Sequence, residues 1–238
     1  MSNPNFEIDM NAALEYYNLA NLNRELKNFP VAVACYTRAV EFNPYFKEAY
    51  LRRGITYITL KNYTQAIIDS TNAIEIEKNC ADAYNSRGIA YGYLKNYKNA
   101  IDDFTKAIEF NSNNAQFFYN RGLTYKYINS FDKAISDFSE AIILGYCDDK
   151  IFVLRGEMYT ASNAYASAVA DFKKAVEINP NNIFAHKYLG NLHLAMGDYI
   201  WAIEDFTNVI KINPNDAEAH YKRGKAYKEK ARADFEKA

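Results

Sequence analysis

Cysteine is scarce in this chain of 238 residues, and what there is stands badly for chemistry. Cys35, Cys80 and Cys147 form an odd, widely spaced set with neither metal-ligand nor redox spacing. They are expected to be reduced structural residues, since a free cysteine usually behaves as a small buried hydrophobe. An excess of charge is missing too. Lys plus Arg number 28 against 29 Asp plus Glu, a formal net charge of -1 with no long run of either sign, which makes nucleic acid and anionic membranes poor partners. No apolar stretch approaches the roughly 20 residues that a membrane helix needs, and Met1 to Met10 lacks the basic-then-apolar order of a secretory signal. Membrane insertion is therefore not expected, and a cytoplasmic location is the default. Nor does the chain carry a nucleophile paired with a base, a phosphate-cradling glycine loop or a cluster of metal ligands, so no enzymatic activity, cofactor or metal is expected.

Apolar material is plentiful, at 49% hydrophobic residues, and it is periodic. Six of the nine glycines stand at Gly54, Gly88, Gly122, Gly156, Gly190 and Gly224, each 34 residues after the last, and Ala20 continues the register backwards. Other columns keep the same period. Ala32, Ala66, Ala100, Ala134, Ala168 and Ala202 follow the small residue by twelve places. An aromatic or histidine precedes it by four (Tyr16, Tyr50, Tyr84, Phe118, Phe152, His186, His220), and a tyrosine usually follows it by three, with Asn23 and His193 as exceptions. The aromatic, glycine and tyrosine columns share one face of a helix, and the alanine column opens a second such face. Short turn segments such as Lys61-Asn62-Tyr63 and Gly197-Asp198-Tyr199 lie between them, so each frame reads as an antiparallel helical hairpin. Gly and Ala are expected where the two helices come closest, and Asn-Pro steps at residues 43–44, 179–180 and 213–214 end the second helices.

The run from Ser86 to Asn114 shows the pattern in full and resembles the tetratricopeptide repeat family, a likeness that extends from about Asn11 to the C-terminus. The resemblance implies an all-α fold, a right-handed superhelical α-solenoid of about seven 34-residue helix-turn-helix repeats with the last one shortened. It divides the chain into a lead-in at 1–12, six repeats over 13–216, and a shortened seventh repeat or terminal capping helix at 217–238. One further pair of columns is internal to this sequence. Arg53, Arg87, Arg121, Arg155 and Arg223 precede the glycine, and Asp69, Asp103, Asp137, Asp171 and Asp205 follow it by fifteen. The first frame lacks both, and Leu189 breaks the arginine column in the sixth. An Arg-to-Asp ion pair inside each hairpin is expected, structural rather than a ladder of anion-binding arginines. His186, His193 and His220 fall in aromatic columns and are expected to pack in the core, as is the lone Trp201.

Function is then expected on the inner wall that the family's first helices line. Residues assigned there are Asn18 in the first frame, Arg52 and Ile55 in the second, and Asn85, Ile89 and Tyr93 in the third. The fourth frame adds Tyr119, Asn120, Leu123 and Tyr127, the fifth Lys150 and Leu154, and the sixth Lys187, Tyr188 and Asn191. Apolar residues facing outward in successive frames point to a trough through Ile55, Ile89, Tyr93, Leu123 and Tyr127 for a protein or peptide partner. The chain is thus expected to be an interaction scaffold or adaptor. An alternative is self-association through the C-terminal repeat, where Ala231 to Ala238 resembles the second-helix segment Ala100 to Ala107 but arrives five residues early. Co-chaperone-like gripping of an acidic chaperone tail is a lesser alternative. Lys187 and Asn191 match the first pair of that family's clamp, but Lys222 stands where an asparagine is required.

Overall fold

A computed structural model describes residues 8–236 of the chain, and among them it contains thirteen α-helices and no strand. They fall into two compact units that divide after Ile128. The first contains α1 (Met10–Glu25), α2 (Phe29–Phe42), α3 (Lys47–Thr59), α4 (Tyr63–Ile76), α5 (Ala81–Tyr93), α6 (Tyr97–Phe110) and α7 (Ala115–Tyr127). Here α1 pairs with α2, α3 with α4 and α5 with α6, and each second helix packs on the first helix of the next frame. The second unit contains α8 (Phe131–Ile143), α9 (Asp149–Ala161), α10 (Tyr165–Ile178), α11 (Ile183–Met196), α12 (Tyr199–Ile212) and α13 (Ala217–Glu236). Its hairpins are α9 with α10 and α11 with α12, with α8 packed on α9 and α13 on α12. The all-α repeat class is the one the spacing implied. The first helix begins at Met10, where Asp9 caps it by accepting from the Ala12 amide at 2.9 Å. The rest of the lead-in, residues 1–7, lies outside the described residues.

Each hairpin turns through one residue in the left-handed conformation, and that residue recurs every 34 places: Lys27, Lys61, Lys95, Asn129, Asn163 and Gly197, with φ between 57° and 81°. The same column in the seventh frame is Ala231. Alanine is the strongest helix former and a poor left-handed residue, so α13 runs on for 20 residues without a turn.

Small residues stand where the helices close. Ala20, Ala32, Ala66, Ala100, Ala134, Ala168 and Ala202 are fully buried. A Cβ built on Gly88, Gly156 or Gly190 would meet a ring of Phe104, Phe172 or Phe206 at 2.8, 2.7 and 2.8 Å. Those phenylalanines form a column that the sequence reading did not single out, sixteen residues after the glycine. Tyr36 and Ser70 hold the same place in the first two frames.

The arginines sit beside these contacts. Arg53, Arg87 and Arg155 grip Asp69, Asp103 and Asp171 through Nε and Nη2 at 2.7 to 2.8 Å. The expected intra-hairpin pair is present in these three frames. The remaining Nη1 reaches back to a hydroxyl on the preceding second helix, from Arg53 to Thr37, Arg87 to Thr71, Arg121 to Thr105 and Arg155 to Ser139, at 2.9 to 3.1 Å. Each guanidinium therefore joins two consecutive frames. Burial pushes the Asp69 and Asp103 carboxyls up, against the opposing pull of their arginines, as expected of desolvated pairs near break-even.

Where Leu189 interrupts the column, Asp205 takes a different partner. His193 Nδ1 lies 2.7 Å from Asp205 Oδ2, and His186 Nδ1 lies 3.8 Å from Oδ1. The two buried histidines thus replace the missing arginine besides packing in the core. Three expectations need correction, the first being His220, which is exposed on α13 rather than packed in the core. Cys35 and Cys80 are buried, but Cys147 is exposed in the turn that precedes α9. Trp201 is 59% exposed beside the equally exposed Ile200, because it lies on the outer side of the first turn of α12.

Candidate functional site

In the first unit the glycine faces of α3 and α5 are turned toward their second helices, α4 and α6. A concavity of about 320 Å³ lies between α5 and α7. Ile89 and Leu123 form the walls, Phe104 with Gly88 the floor, and Tyr93 and Tyr127 the rim. Four of the five residues expected in the trough, Ile89, Tyr93, Leu123 and Tyr127, therefore meet in one cavity. Ile55 does not line it. The volume lies at the lower end of the range of about 300–1,000 Å³ typical of ligand pockets.

Two features of the cavity were not anticipated. Gly92 opens it: a Cβ there would meet no atom within 4 Å, and the same column holds Arg24, Ile58, Lys126, Thr160, Leu194 and Lys228 in the other frames. A missing side chain, rather than a special one, makes the space. The rim is also doubled, for Tyr93 stacks on Tyr63 at 4.7 Å and Tyr127 on Tyr97 at 5.9 Å, with interplanar angles of 9° and 8°. Stacking fixes rings that are 62% and 68% exposed, so the rim is held in place before anything binds.

Polar groups line the approach. Asn120 donates to Asn85 at 2.8 Å and accepts from Gln116 at 2.9 Å, a row of amides crossing from α5 to α7 with Asn120 at the cavity wall. Tyr119 is half-buried on α7, while Asn18 and Arg52 are exposed on α1 and α3, away from the cavity.

In the second unit, Lys150 is exposed at the start of α9 and Leu154 half-buried. Tyr188 stacks on Phe172 at 4.8 Å and donates to Glu157 at 2.7 Å; burial and that carboxylate together raise its pKa well above the ordinary phenol value. The side chains that resemble a carboxylate clamp are already engaged. Lys187 pairs with Asp216 at 2.8 Å and Glu218 at 3.1 Å, and Lys222 reaches Asn191 at 2.6 Å and Glu218 at 2.9 Å. An incoming acidic tail would have to displace these internal carboxylates, which weighs against such a ligand. Among the described residues no helix is long and apolar enough to cross a membrane.

Tetratricopeptide repeat models match residues 17–79, 81–114 and 115–142, and a TPR repeat model matches 156–197 and 190–230. No curated protein matches the chain. Solved structures that resemble it include that of MamA, at 25% identity over 71% of this chain and 92% of that one, with a TM-score of 0.64. YrrB, described as a TPR protein with an unusual peptide-binding site, aligns at 22% identity over 78% of this chain and 96% of its own, with a TM-score of 0.69. The pilF protein of Pseudomonas aeruginosa aligns at 16% identity over 90% and 97%, with a TM-score of 0.75. With its 34-residue clock, its helical hairpins and matches running from residue 17 to residue 230, the chain belongs to the tetratricopeptide repeat proteins.

Proposed function

We propose that the chain is a non-catalytic adaptor that holds a partner peptide in the groove of its first unit, with one large apolar or aromatic side chain of the peptide seated over Gly92. The observation that carries this reading is the cavity itself: an apolar floor and walls, a rim of two pre-stacked tyrosine pairs, and an opening made by the one frame that lacks a side chain at this column. The amide row at Asn85, Gln116 and Asn120 supplies donors and acceptors for an extended backbone alongside. The fold is that of protein-interaction scaffolds, and the peptide-binding site named for YrrB belongs to a protein of the same architecture.

The test is to select displayed random peptides of about twelve residues on the wild-type chain and on Gly92→Leu. Leucine is the residue found at this column in the sixth frame, Leu194. It fills the opening while improving the helix. The expected result is a wild-type consensus containing one apolar or aromatic position, and at least about a tenfold loss of affinity for those peptides in the variant, the equivalent of 1.4 kcal/mol. Equal binding by a folded Gly92→Leu chain removes the cavity from consideration.

A further inference from the structure

The hairpin turns of the first unit carry lysine where lysine is strained. In the second unit the left-handed column holds Asn129, Asn163 and Gly197, residue types that adopt a positive φ readily. In the first unit it holds Lys27, Lys61 and Lys95 at φ of 59° to 60°, where a long side chain offers the backbone no local hydrogen bond in return. The fold makes no use of their charge. Cations at the opposite ends of these hairpins are paired, Arg38 with Glu41 at 2.8 Å, Lys47 with Glu48 at 3.1 Å and Glu77 at 2.5 Å, and Lys106 with Glu109 at 2.6 Å. Lys27, Lys61 and Lys95 are exposed and form no ion pair among the described residues.

Two of these lysines belong to the groove. Lys95 is the one charged residue, among the described residues, that lines the cavity between α5 and α7. It precedes Tyr97 by two places, as Lys61 precedes Tyr63, and these are the rings on which Tyr127 and Tyr93 stack at the rim. No Asp or Glu occurs in residues 55–67 or 89–101, so the chain flanking each lysine supplies no neutralising charge. Uncompensated positive potential thus stands beside an apolar cavity. An apolar anchor explains neither lysine, and a cationic ligand would be repelled by both.

We propose, resting on the adaptor reading above, that the partner peptide is acidic beside its anchor: one Asp or Glu within about three residues of the large apolar side chain pairs with Lys95, and a second, about three residues further along, pairs with Lys61. The spacing comes from the repeat. Helices packed about 10 Å apart set consecutive lysines about that far from each other, and an extended peptide advances about 3.3 Å per residue, so equivalent contacts recur at every third position. Side-chain carboxylates suit this edge better than a single chain terminus, because successive frames each present a cation. Such exposed pairs act chiefly on encounter rate and on choice of ligand, so the lysines select among peptides that all carry an apolar anchor.

The test selects displayed peptides of about twelve residues, with phenylalanine fixed at the centre and every other position random, on the full chain and on Lys95→Asn, Lys61→Asn and Gly92→Leu. Asparagine is what the column itself carries at Asn129 and Asn163, so circular dichroism should show both lysine variants folded and melting no lower than wild type. Wild type should enrich Asp or Glu at two positions about three residues apart on one side of the phenylalanine. Lys95→Asn should erase the nearer preference and Lys61→Asn the farther. By fluorescence anisotropy an enriched peptide should lose about two- to fivefold in affinity with each variant, weaken on wild type as salt is raised, and bind Lys95→Arg and the second-unit control Lys173→Gln as it binds wild type. Peptides that are lost on Gly92→Leu yet show no acidic preference would overturn this assignment and leave the adaptor reading standing. Enrichment of Lys or Arg, or an acidic preference that survives both asparagine variants, would overturn it too, and a wild-type chain that selects no peptide overturns both readings.

Discussion

Replacing helical glycines by alanine, one at a time, separates the two reasons a glycine can stand in a helix. Propensity alone favours alanine in a helix interior by about 1 kcal/mol. At Gly92 the new methyl group meets open space, so Gly92→Ala should stabilise the chain by about that amount. At Gly88, four residues earlier in α5, the methyl would stand 2.8 Å from Cε1 and 3.0 Å from Cδ1 of Phe104. That ring is 2% exposed and forms the floor of the groove, so relief requires moving α5 away from α6. Overpacking of this kind costs about 1–3 kcal/mol, which leaves Gly88→Ala destabilised by about 0–2 kcal/mol after the gain in propensity. The two variants, alike in chemistry and in helix, should differ by about 1–3 kcal/mol, or about 2–12 °C in melting temperature for a chain of this size. Thermal and urea unfolding followed at 222 nm would measure the gap, and Gly156→Ala and Gly190→Ala, at 2.7 and 2.8 Å from Phe172 and Phe206, should repeat the Gly88 result. If Gly88→Ala melts at or above Gly92→Ala, close approach of paired helices is not what places glycine every 34 residues.

Three other outcomes follow from the buried polar contacts. Arg87→Met should cost about 3–5 kcal/mol by stranding Asp103, whereas Arg87→Met/Asp103→Leu should recover most of that loss; urea midpoints of the two variants check it. The Ser70 hydroxyl is buried without a hydrogen-bond partner, so Ser70→Ala should be neutral or stabilising by up to about 1 kcal/mol in the same assay. His186 is held above its ordinary value of 6.5 by Asp205, with the Pro180 carbonyl helping and burial opposing. A raised histidine contributes stability in full below 6.5 and loses it as pH rises through the folded-state value. The melting temperature should accordingly fall as pH is raised from about 6 to 8, and Asp205→Asn or His186→Phe should flatten that fall. A pH profile unchanged in both variants would show that the histidine is not linked to folding.

The architecture was legible because it is written in recurrence: spacing alone exposes the glycine, alanine, aromatic and Arg–Asp columns, and each maps to a helix contact. The cavity between α5 and α7 was half legible. Ile89, Tyr93, Leu123 and Tyr127 were found as apolar residues on a face that solvent would not favour, but Gly92 was missed, because a search for columns passes over the place where one frame departs from its column. Tyr63 reads as a turn-edge residue, and only the coordinates show it stacked on Tyr93, as Tyr97 is on Tyr127. The hydroxyl column at Thr37, Thr71, Thr105 and Ser139 was in plain register too, yet its role depends on the approach of neighbouring frames. The histidines were weighed singly as core residues, which hid their joint answer to the missing arginine at Leu189.

That substitution bears on how the molecule comes apart. A guanidinium bonded to two successive frames couples their unfolding, and in repeat proteins such coupling decides how many frames melt as one foldon. Leu189 carries no such link, Lys173 stands where the hydroxyl would be, and Tyr188 of α11 stacks on Phe172 of α10 at this step. Amide hydrogen exchange should then show a step in protection at this seam, with α11 to α13 opening as a separate and more labile block than α9 and α10. Because Asp205 raises the pKa of His186 on α11, acidity acts on the same block from inside, steadying the α11–α12 hairpin as the histidine takes up its proton.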